Sequence, residues 1–340
     1  MRAILAVTVL AFALALPLAN GQGSAPTGSG VTIAVLDTGV DSSHPDLTGR
    51  VTRQSFAEPD FPIDLPSGAA IPLAEDPDGQ GTAVASVAAG GTLGVATQAS
   101  ILDLQVSAKY TGQVPQAGID PVTEAAAIEA MDALLRDPDR AQVVLLSFAQ
   151  AGVSDSGGRT LAQQARGLWD AGVLVIVPTG PTANPLSTAP HILTVAGREA
   201  CPAPMGPSFK PDLVAQSQDV DAAQPAEGVT PAGTATVSGT AYAAAQVAGA
   251  AALLFDAYPE LPVDAVASYL RDAAAEVSGS DPGPDACTGF GELNAELALQ
   301  WAAMWSDPVA SSGGRSTPGL TLPIALAGLA AAAWAGRRDG

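Results

Sequence analysis

The stretch VTIAVLDTGVDSSHPDL, residues 31–47, decides the fold. Its first six residues form a short, mostly apolar run rich in β-branched side chains, the pattern of a strand buried on both faces. The run stops at Asp37, followed by Thr38 and Gly39, so the strand delivers a carboxylate to a turn. Four further runs of the same kind follow: SILDLQV (100–106), QVVLLSF (142–148), GVLVIV (172–177) and HILTVAG (191–197). Helical patterns separate most of them, at about 80–90, 121–136, 158–171, 240–257, 262–275 and 291–303. Alternation of this kind predicts an α/β fold, a mostly parallel sheet with helices on both faces. In such folds functional groups gather at the carboxyl ends of the strands.

The ends of the 340-residue chain read differently. Met1 and Arg2 precede an apolar run from Ala3 to Ala19 and then a small, polar segment, the layout of a secretory signal over residues 1–21; an uncleaved anchor is the alternative. The main domain is then assigned to 22–305, a Ser/Gly/Pro linker to 306–318 and a tail to 319–340. The tail holds an apolar run, residues 320–336, followed by Arg337 and Arg338. This run is at the short limit for a bilayer span with cytoplasmic arginines, and a C-terminal core helix is the other reading. It also resembles archaeal PGF-type sorting signals, with Leu320 where that motif has Phe. The expected location is therefore the outer face of the cell membrane, with the tail as anchor.

Net charge is −20, with 34 acidic residues and only two lysines, Lys109 and Lys210. Repulsion from phosphates excludes nucleic acid as a partner. Such a lysine-poor acidic surface is similar to that of haloarchaeal proteins. An exported chain permits a disulfide between Cys201 and Cys287, although sequence does not establish that the two meet.

Two further stretches complete the constellation. DPDGQGTAVASVAAG (76–90) opens one helix. SGTAYAAAQVAGAAALL (238–254) opens another through a turn in which Gly239 supplies backbone freedom and Thr240 is the expected N-cap. In this order and spacing the three segments resemble the aspartate, histidine and serine blocks of the subtilisin-like serine peptidases. GVATQASILDLQV, GVLVIVPTGP, FKPDLVA and GFGELNAE support the resemblance, which covers about Val31 to Ala303. It implies a three-layer subtilisin-like fold.

The resemblance also exposes departures. Asp37 matches the triad acid. Gln80 stands at the histidine position, and a neutral amide cannot act as a general base. Ala241 stands at the serine position, where a methyl group cannot attack a carbonyl. Pro181 stands at the oxyanion asparagine, with neither an amide side chain nor an N–H to donate. In subtilisin itself, losing the serine or histidine alone removes about a millionfold in turnover. Thr240 and Ser238 are the nearest hydroxyls, His44 matches a structural part of the aspartate block, and His191 is expected to begin a strand. With no imidazole present, the Gln80 amide is expected to hydrogen-bond Asp37 as a structural pair.

The rest of the inherited groove is read as Phe148, Gln150, Gly180, Thr240 and Tyr242. Phe148 and Gln150 add bulk where the family has glycines, and Tyr242 is expected to pack. About ten residues separate the signal from the first strand, too few for the family's inhibitory propeptide. No cofactor is assigned. Asp46 matches a family calcium ligand, but the loop that completes that site is short in AAGGTLGVATQ, so Asp46 is read as a turn residue and no metal is expected. The acidic run EDPDG (75–79) is read as a solvated loop. Taken together, the residues predict an exported, catalytically inert subtilisin-like domain that binds or scaffolds an extracellular peptide or protein. A slow serine endopeptidase and a structural cell-surface component are the alternatives.

Overall fold

The computed structural model describes residues 25–57, 75–107, 121–147, 154–180, 183–199, 201, 210–225, 232–277 and 284–306. The readings for the signal, the linker after Ser306 and the tail, and those for Lys109, Phe148, Gln150 and Pro181, lie outside these residues. The chain divides into one compact unit ending at Trp305 and a second from Ser306 to Gly340, of which only Ser306 is described. Among the described residues no helix is long and apolar enough to cross a membrane.

The strands are β1 (Thr32–Asp37), β2 (Val51–Ser55), β3 (Ser100–Gln105), β4 (Val143–Leu146), β5 (Leu174–Pro178), β6 (Leu193–Gly197), β7 (Leu213–Ala215), β8 (Val220–Gln224) and β9 (Gly233–Val237). The helices are α1 (Gln80–Ala89), α2 (Pro121–Arg136), α3 (Asp155–Asp170), α4 (Thr240–Ala257), α5 (Val263–Asp272) and α6 (Ala295–Ser306). Seven strands form one sheet in the order β2-β3-β1-β4-β5-β6-β7, parallel at every pairing. β8 and β9 form a separate antiparallel pair.

The mostly apolar runs are explained by burial on both faces. Alternate residues of β1 point to opposite sides. Ile33 and Val35 join a core with Val84 and Val87 of α1, Val247 and Leu254 of α4, Val266 and Leu270 of α5, and Ala298 and Ala302 of α6. Ala34 and Leu36 join the other core, with Met131 and Leu134 of α2 and Leu161 and Leu168 of α3. This is the expected three-layer α/β architecture. α4 lies against α1 so closely that a Cβ on Gly249 would stand 2.6 Å from Ala88 O and 2.7 Å from Val95 Cβ, which is why a small-residue helix belongs there.

Several boundaries differ from expectation. α3 begins at Asp155 rather than 158, because the Ser154 hydroxyl accepts the Gly157 N–H at 3.0 Å and caps the SGG stretch into the helix. α6 begins at Ala295 rather than 291: Glu292 instead exchanges backbone hydrogen bonds with Ala275, both at 2.8 Å, and Asn294 Oδ1 accepts from Leu297 N at 3.0 Å. The same pairing ends α5 before Ala275. β2, β7, β8 and β9 are additional strands. β2 is an edge strand reading VTRQS, half-exposed and polar, and so lacks the apolar signature.

Lys210, 5% exposed, donates to Ile192 O at 2.6 Å and to Asp212 Oδ2 at 2.5 Å, while Arg271 meets Asp212 Oδ1 at 3.1 Å. Burial lowers the Lys210 pKa and the Asp212 carboxylate opposes that shift. Cys201 and Cys287 are joined by a disulfide across 86 residues of chain, which resolves the question left open by sequence.

Candidate functional site

Asp37 is the last residue of β1, Gln80 the first of α1, and Thr240 and Ala241 the first two of α4. One parallel strand thus ends on a carboxylate while two helices that pack together begin with an amide and a methyl group. Asp37 is buried, 2% exposed. Its Oδ1 accepts the Thr38 N–H at 2.6 Å and its Oδ2 is in a very short contact with Ser147 Oγ. Burial raises its pKa to about 7; Ser147 and Thr38 pull it down, and the charges of Asp76 and Asp78 push it up.

The anticipated Asp37–Gln80 hydrogen bond does not form. The neighbouring strand supplies the partner instead: β4 runs beside β1, Ser147 follows its last residue, and Ser147 N donates to Leu36 O at 3.3 Å. Gln80 is half-buried, and its backbone N–H donates to Asp78 Oδ1 at 3.0 Å. Sequence reasoning did not identify Ser147. Its signal was only that a hydroxyl follows an apolar run predicted to lie in the same sheet as β1.

Asp76 was also missed, and its burial corrects the reading of 75–79 as a solvated loop. The side chain is 7% exposed. Oδ1 accepts from Thr38 Oγ1 at 2.8 Å and from Gly79 N at 3.1 Å, and Oδ2 accepts from Thr82 N at 2.7 Å. Asp76 therefore satisfies free N–H groups at the start of α1 and ties them to the turn after β1. Thr38 Oγ1 closes the link by accepting from Gly81 N at 3.2 Å. Desolvation raises the Asp76 pKa, against its hydrogen bonds from Thr82 and Thr38. The signal available in sequence was an Asp three residues before a glycine at a helix start. Glu75 and Asp78 are exposed, as expected.

A third buried acid, Asp103 of β3, accepts from Val40 N at 3.1 Å and Arg53 Nε at 2.6 Å. Its pKa is raised to about 6 by burial, with Arg53 opposing. Arg53 also donates to Val40 O at 2.7 Å and Glu75 O at 2.6 Å, holding the turn after Asp37 against the segment that leads into α1.

At the second helix, Gly239 occupies the N-cap position with φ 157° and ψ 154°, a region open essentially only to glycine. Thr240 is not the cap. It is the first helical residue, and its hydroxyl donates to Thr179 O at 3.0 Å, beside the buried Gly180. Tyr242 packs half-buried against the core as expected. Its phenol is pushed up to about 12 by burial and by the charges of Asp37, Asp78 and Asp76, which places the ring in the field of the same carboxylates.

Neither histidine approaches this chemistry. His44 Nδ1 accepts from Asp46 N at 3.1 Å, so Nε2 carries the proton and donates to Gly233 O at 2.9 Å. His191 lies two residues before β6 rather than opening it; its ring lies 5.7 Å from Trp169, and Arg166 stands 2.8 Å from its Nε2.

The resemblance gives Asp46 as a calcium ligand, and its Oδ2 is buried without a hydrogen-bond partner. Asp46 Oδ1 accepts both the N–H and hydroxyl of Thr92, each at 2.7 Å, which is the turn role expected of it. Among the described residues no group of three or more His, Cys, Asp or Glu is placed to hold a metal ion. Beside it the Arg50 guanidinium donates to Asp46 O at 2.6 Å, to Ala99 O at 2.9 Å and to Ala89 O. A built-in cation already gathers these three carbonyls.

This arrangement of β1, α1 and α4 has counterparts of known kind. Solved structures share the fold: a lanthipeptide protease aligns with TM-score 0.60 and 22% identity over 80% of this chain and 87% of that one. A protease from Pseudoalteromonas arctica gives 0.62 and 21%, over 82% and 91%. Among curated proteins, subtilisin Savinase of Lederbergia lenta is 30% identical over 84% of this chain and 95% of its own length. Thermitase of Thermoactinomyces vulgaris is 29% identical over 81% and 90%. The Penicillium rubens protease Pen ch 13 is 28% identical over 79% of this chain, and the match spans 63% of the length of that relative. The model of the subtilase family matches residues 28–291, a span that takes in the three helix- and strand-end positions described above, and so the chain belongs to the subtilase family.

Proposed function

We propose that this subtilase domain is a pseudopeptidase: exported, anchored at the cell surface by its tail, and binding or scaffolding an extracellular peptide or protein through the inherited groove. The observation that carries the proposal is the set of groups at the three element ends. α1 begins with the Gln80 amide, α4 carries the Ala241 methyl, and the Asp37 carboxyl is engaged by Ser147 and Thr38. Acyl transfer to a side chain needs a nucleophile and a base that takes its proton, and neither residue type is present at Gln80 or Ala241. Pro181 adds the loss of the oxyanion donor. The relatives are named as proteases, one of them from Thermus sp. as an extracellular serine proteinase. That location suits the apolar leader of this chain, whereas the activity does not suit its residues.

A peptidase working through Thr240 is disfavoured by the hydrogen bond of that hydroxyl to Thr179 O. The test is equilibrium binding of an unstructured peptide library to the full chain, with Ala241→Trp as the variant that fills the mouth of the groove. Intact peptides retained by the native chain and released by the variant support the reading. Cleaved peptides, or equal retention by both proteins, contradict it. Labelling by a fluorophosphonate that disappears in Thr240→Ala would assign the hydroxyl chemistry instead.

A further inference from the structure

A hydroxyl carries one proton, yet Ser147 Oγ is within hydrogen-bonding reach of two acceptors. Leu36 O lies 3.0 Å away and Asp37 Oδ2 is closer still. Ser147 is fully buried, so bulk water does not reach the pair. If Asp37 were ionised, one of these two contacts would lack a hydrogen. We propose that Asp37 is held as a neutral acid in the folded chain at mildly acidic pH, where an exposed aspartate is ionised, its Oδ2–H donating to Ser147 Oγ while Ser147 donates to Leu36 O. Every hydrogen in the chain of contacts is then accounted for, and Oδ1 remains the acceptor of the Thr38 N–H.

The surroundings act in the same direction. Facing Asp37 from the segment before α1 are Asp76 and Asp78, both negative. From α4 comes Tyr242, whose phenol is kept neutral by burial first and by the neighbouring carboxylates second. On β3 the register partner is Gln105, uncharged, and on the β4 side it is Ser147. Arg53 is committed to Asp103 and to the carbonyls of Val40 and Glu75. A carboxylate 2% exposed with two negative neighbours has no counter-charge among the described residues to favour ionisation.

The consequence is a proton-controlled latch between the ends of β1 and β4. Below its midpoint the acid bridges the two strands. Above it, Asp37 gives its proton to solvent, the Ser147 proton turns from Leu36 O to the new carboxylate, and a negative charge appears where α1 and α4 begin. This inference does not depend on whether the groove binds peptide.

Infrared spectroscopy of the full chain, as a pH titration and as a difference against Asp37→Asn, tests it. The amide keeps an acceptor oxygen for Thr38 and an N–H donor for Ser147, with one further N–H, so it mimics the two contacts of the neutral acid. The expected result is a protonated-carboxyl C=O band near pH 6 that vanishes with a midpoint of about 7 and is absent from the variant. The variant should melt at the wild-type temperature below about pH 4, where the acid is neutral in both states, and above it by a margin that grows up to about pH 7 and is then constant to about pH 9. An ionised Asp37 at about pH 6, or a variant less stable than wild type at about pH 9, overturns the proposal. If the variant fails to fold, 13C-labelled aspartate in the wild-type chain gives the same reading: a Cγ resonance assigned to Asp37 through the Thr38 amide and still protonated near pH 6 supports it, and ionisation of that same resonance by about pH 5 overturns it.

Discussion

Replacing both cysteines by serine, Cys201→Ser with Cys287→Ser, should reduce the stability of the domain by about 4.5 kcal/mol at 25 °C. The disulfide closes 86 residues of chain, and a loop of that length withholds about 4.6 kcal/mol of conformational freedom from the unfolded state. Little else is lost in the exchange. Cys201 is exposed and Cys287 half-exposed, so a hydroxyl replaces each sulfur without burying an unsatisfied group. The turn that carries Cys287 stays tied by its own contacts: Asp285 Oδ1 accepts from Cys287 N at 2.6 Å and Thr288 N at 2.7 Å, and Phe290 N donates to Asp212 O at 2.9 Å. The variant should therefore fold, with its urea midpoint lowered in proportion. A typical domain has about 5–15 kcal/mol in total, so the effect is large enough to measure without ambiguity. A loss below about 1 kcal/mol would refute the loop-closure reasoning, since it would mean that the denatured chain already keeps the two segments together.

Three further outcomes follow from the site. Asp76→Ala removes the acceptor for Thr38 Oγ1, Gly79 N and Thr82 N, and should cost about 2–3 kcal/mol in urea unfolding and speed amide exchange at the first turn of α1; wild-type exchange at Gly79 and Thr82 would count against the capping role. The raised pKa values of Asp37, about 7, and Asp103, about 6, mean that the folded chain binds more protons than the unfolded one between the ordinary value of 3.8 and those midpoints. Stability contributed by these groups is therefore full below pH 3.8 and is lost as pH rises toward 7, by about 4 kcal/mol for Asp37; melting temperatures that rise steadily from about pH 5 to pH 8 would contradict this sign. Finally, Gln80→His with Ala241→Ser and Pro181→Asn should give a folded chain that a fluorophosphonate labels while the native chain stays unlabelled, and a folded but unlabelled triple variant would show that the frame no longer aligns these positions.

The large elements were legible because burial on both faces leaves an unmistakable apolar run. β1, β3, β4, β5 and β6 each appear as one, within two residues of their observed ends. β2 was not legible, since an edge strand exposes one side and reads VTRQS. The β8–β9 pair, VDAAQ with GTATV, likewise has few apolar residues to display. At the site, Asp37, Gln80 and Ala241 were singled out because the segments that carry them resemble the aspartate, histidine and serine blocks of the family, and Asp37 also ends an apolar run at a turn. Ser147 was not found because its contact with Asp37 spans 110 positions and exists only through the adjacency of β1 and β4 in the sheet. Asp76 was misread for a related reason: three acidic residues within EDPDG look uniformly solvated, and only the packing of α1 against the turn after β1 selects one of them for burial. Thr240 was assigned as a cap on composition, whereas Gly239 takes that position by backbone conformation and frees the hydroxyl to reach Thr179 O.

The central claim is that a subtilase frame persists here without peptide-bond chemistry. Its most direct test is hydrolysis of an unstructured protein by the full chain, with folding verified by cooperative melting and Asp37→Asn assayed in parallel. The account predicts no cleavage above buffer for either protein. Cleavage by the native chain that is lost in Asp37→Asn would contradict it, and would place a working catalytic group beside this carboxyl.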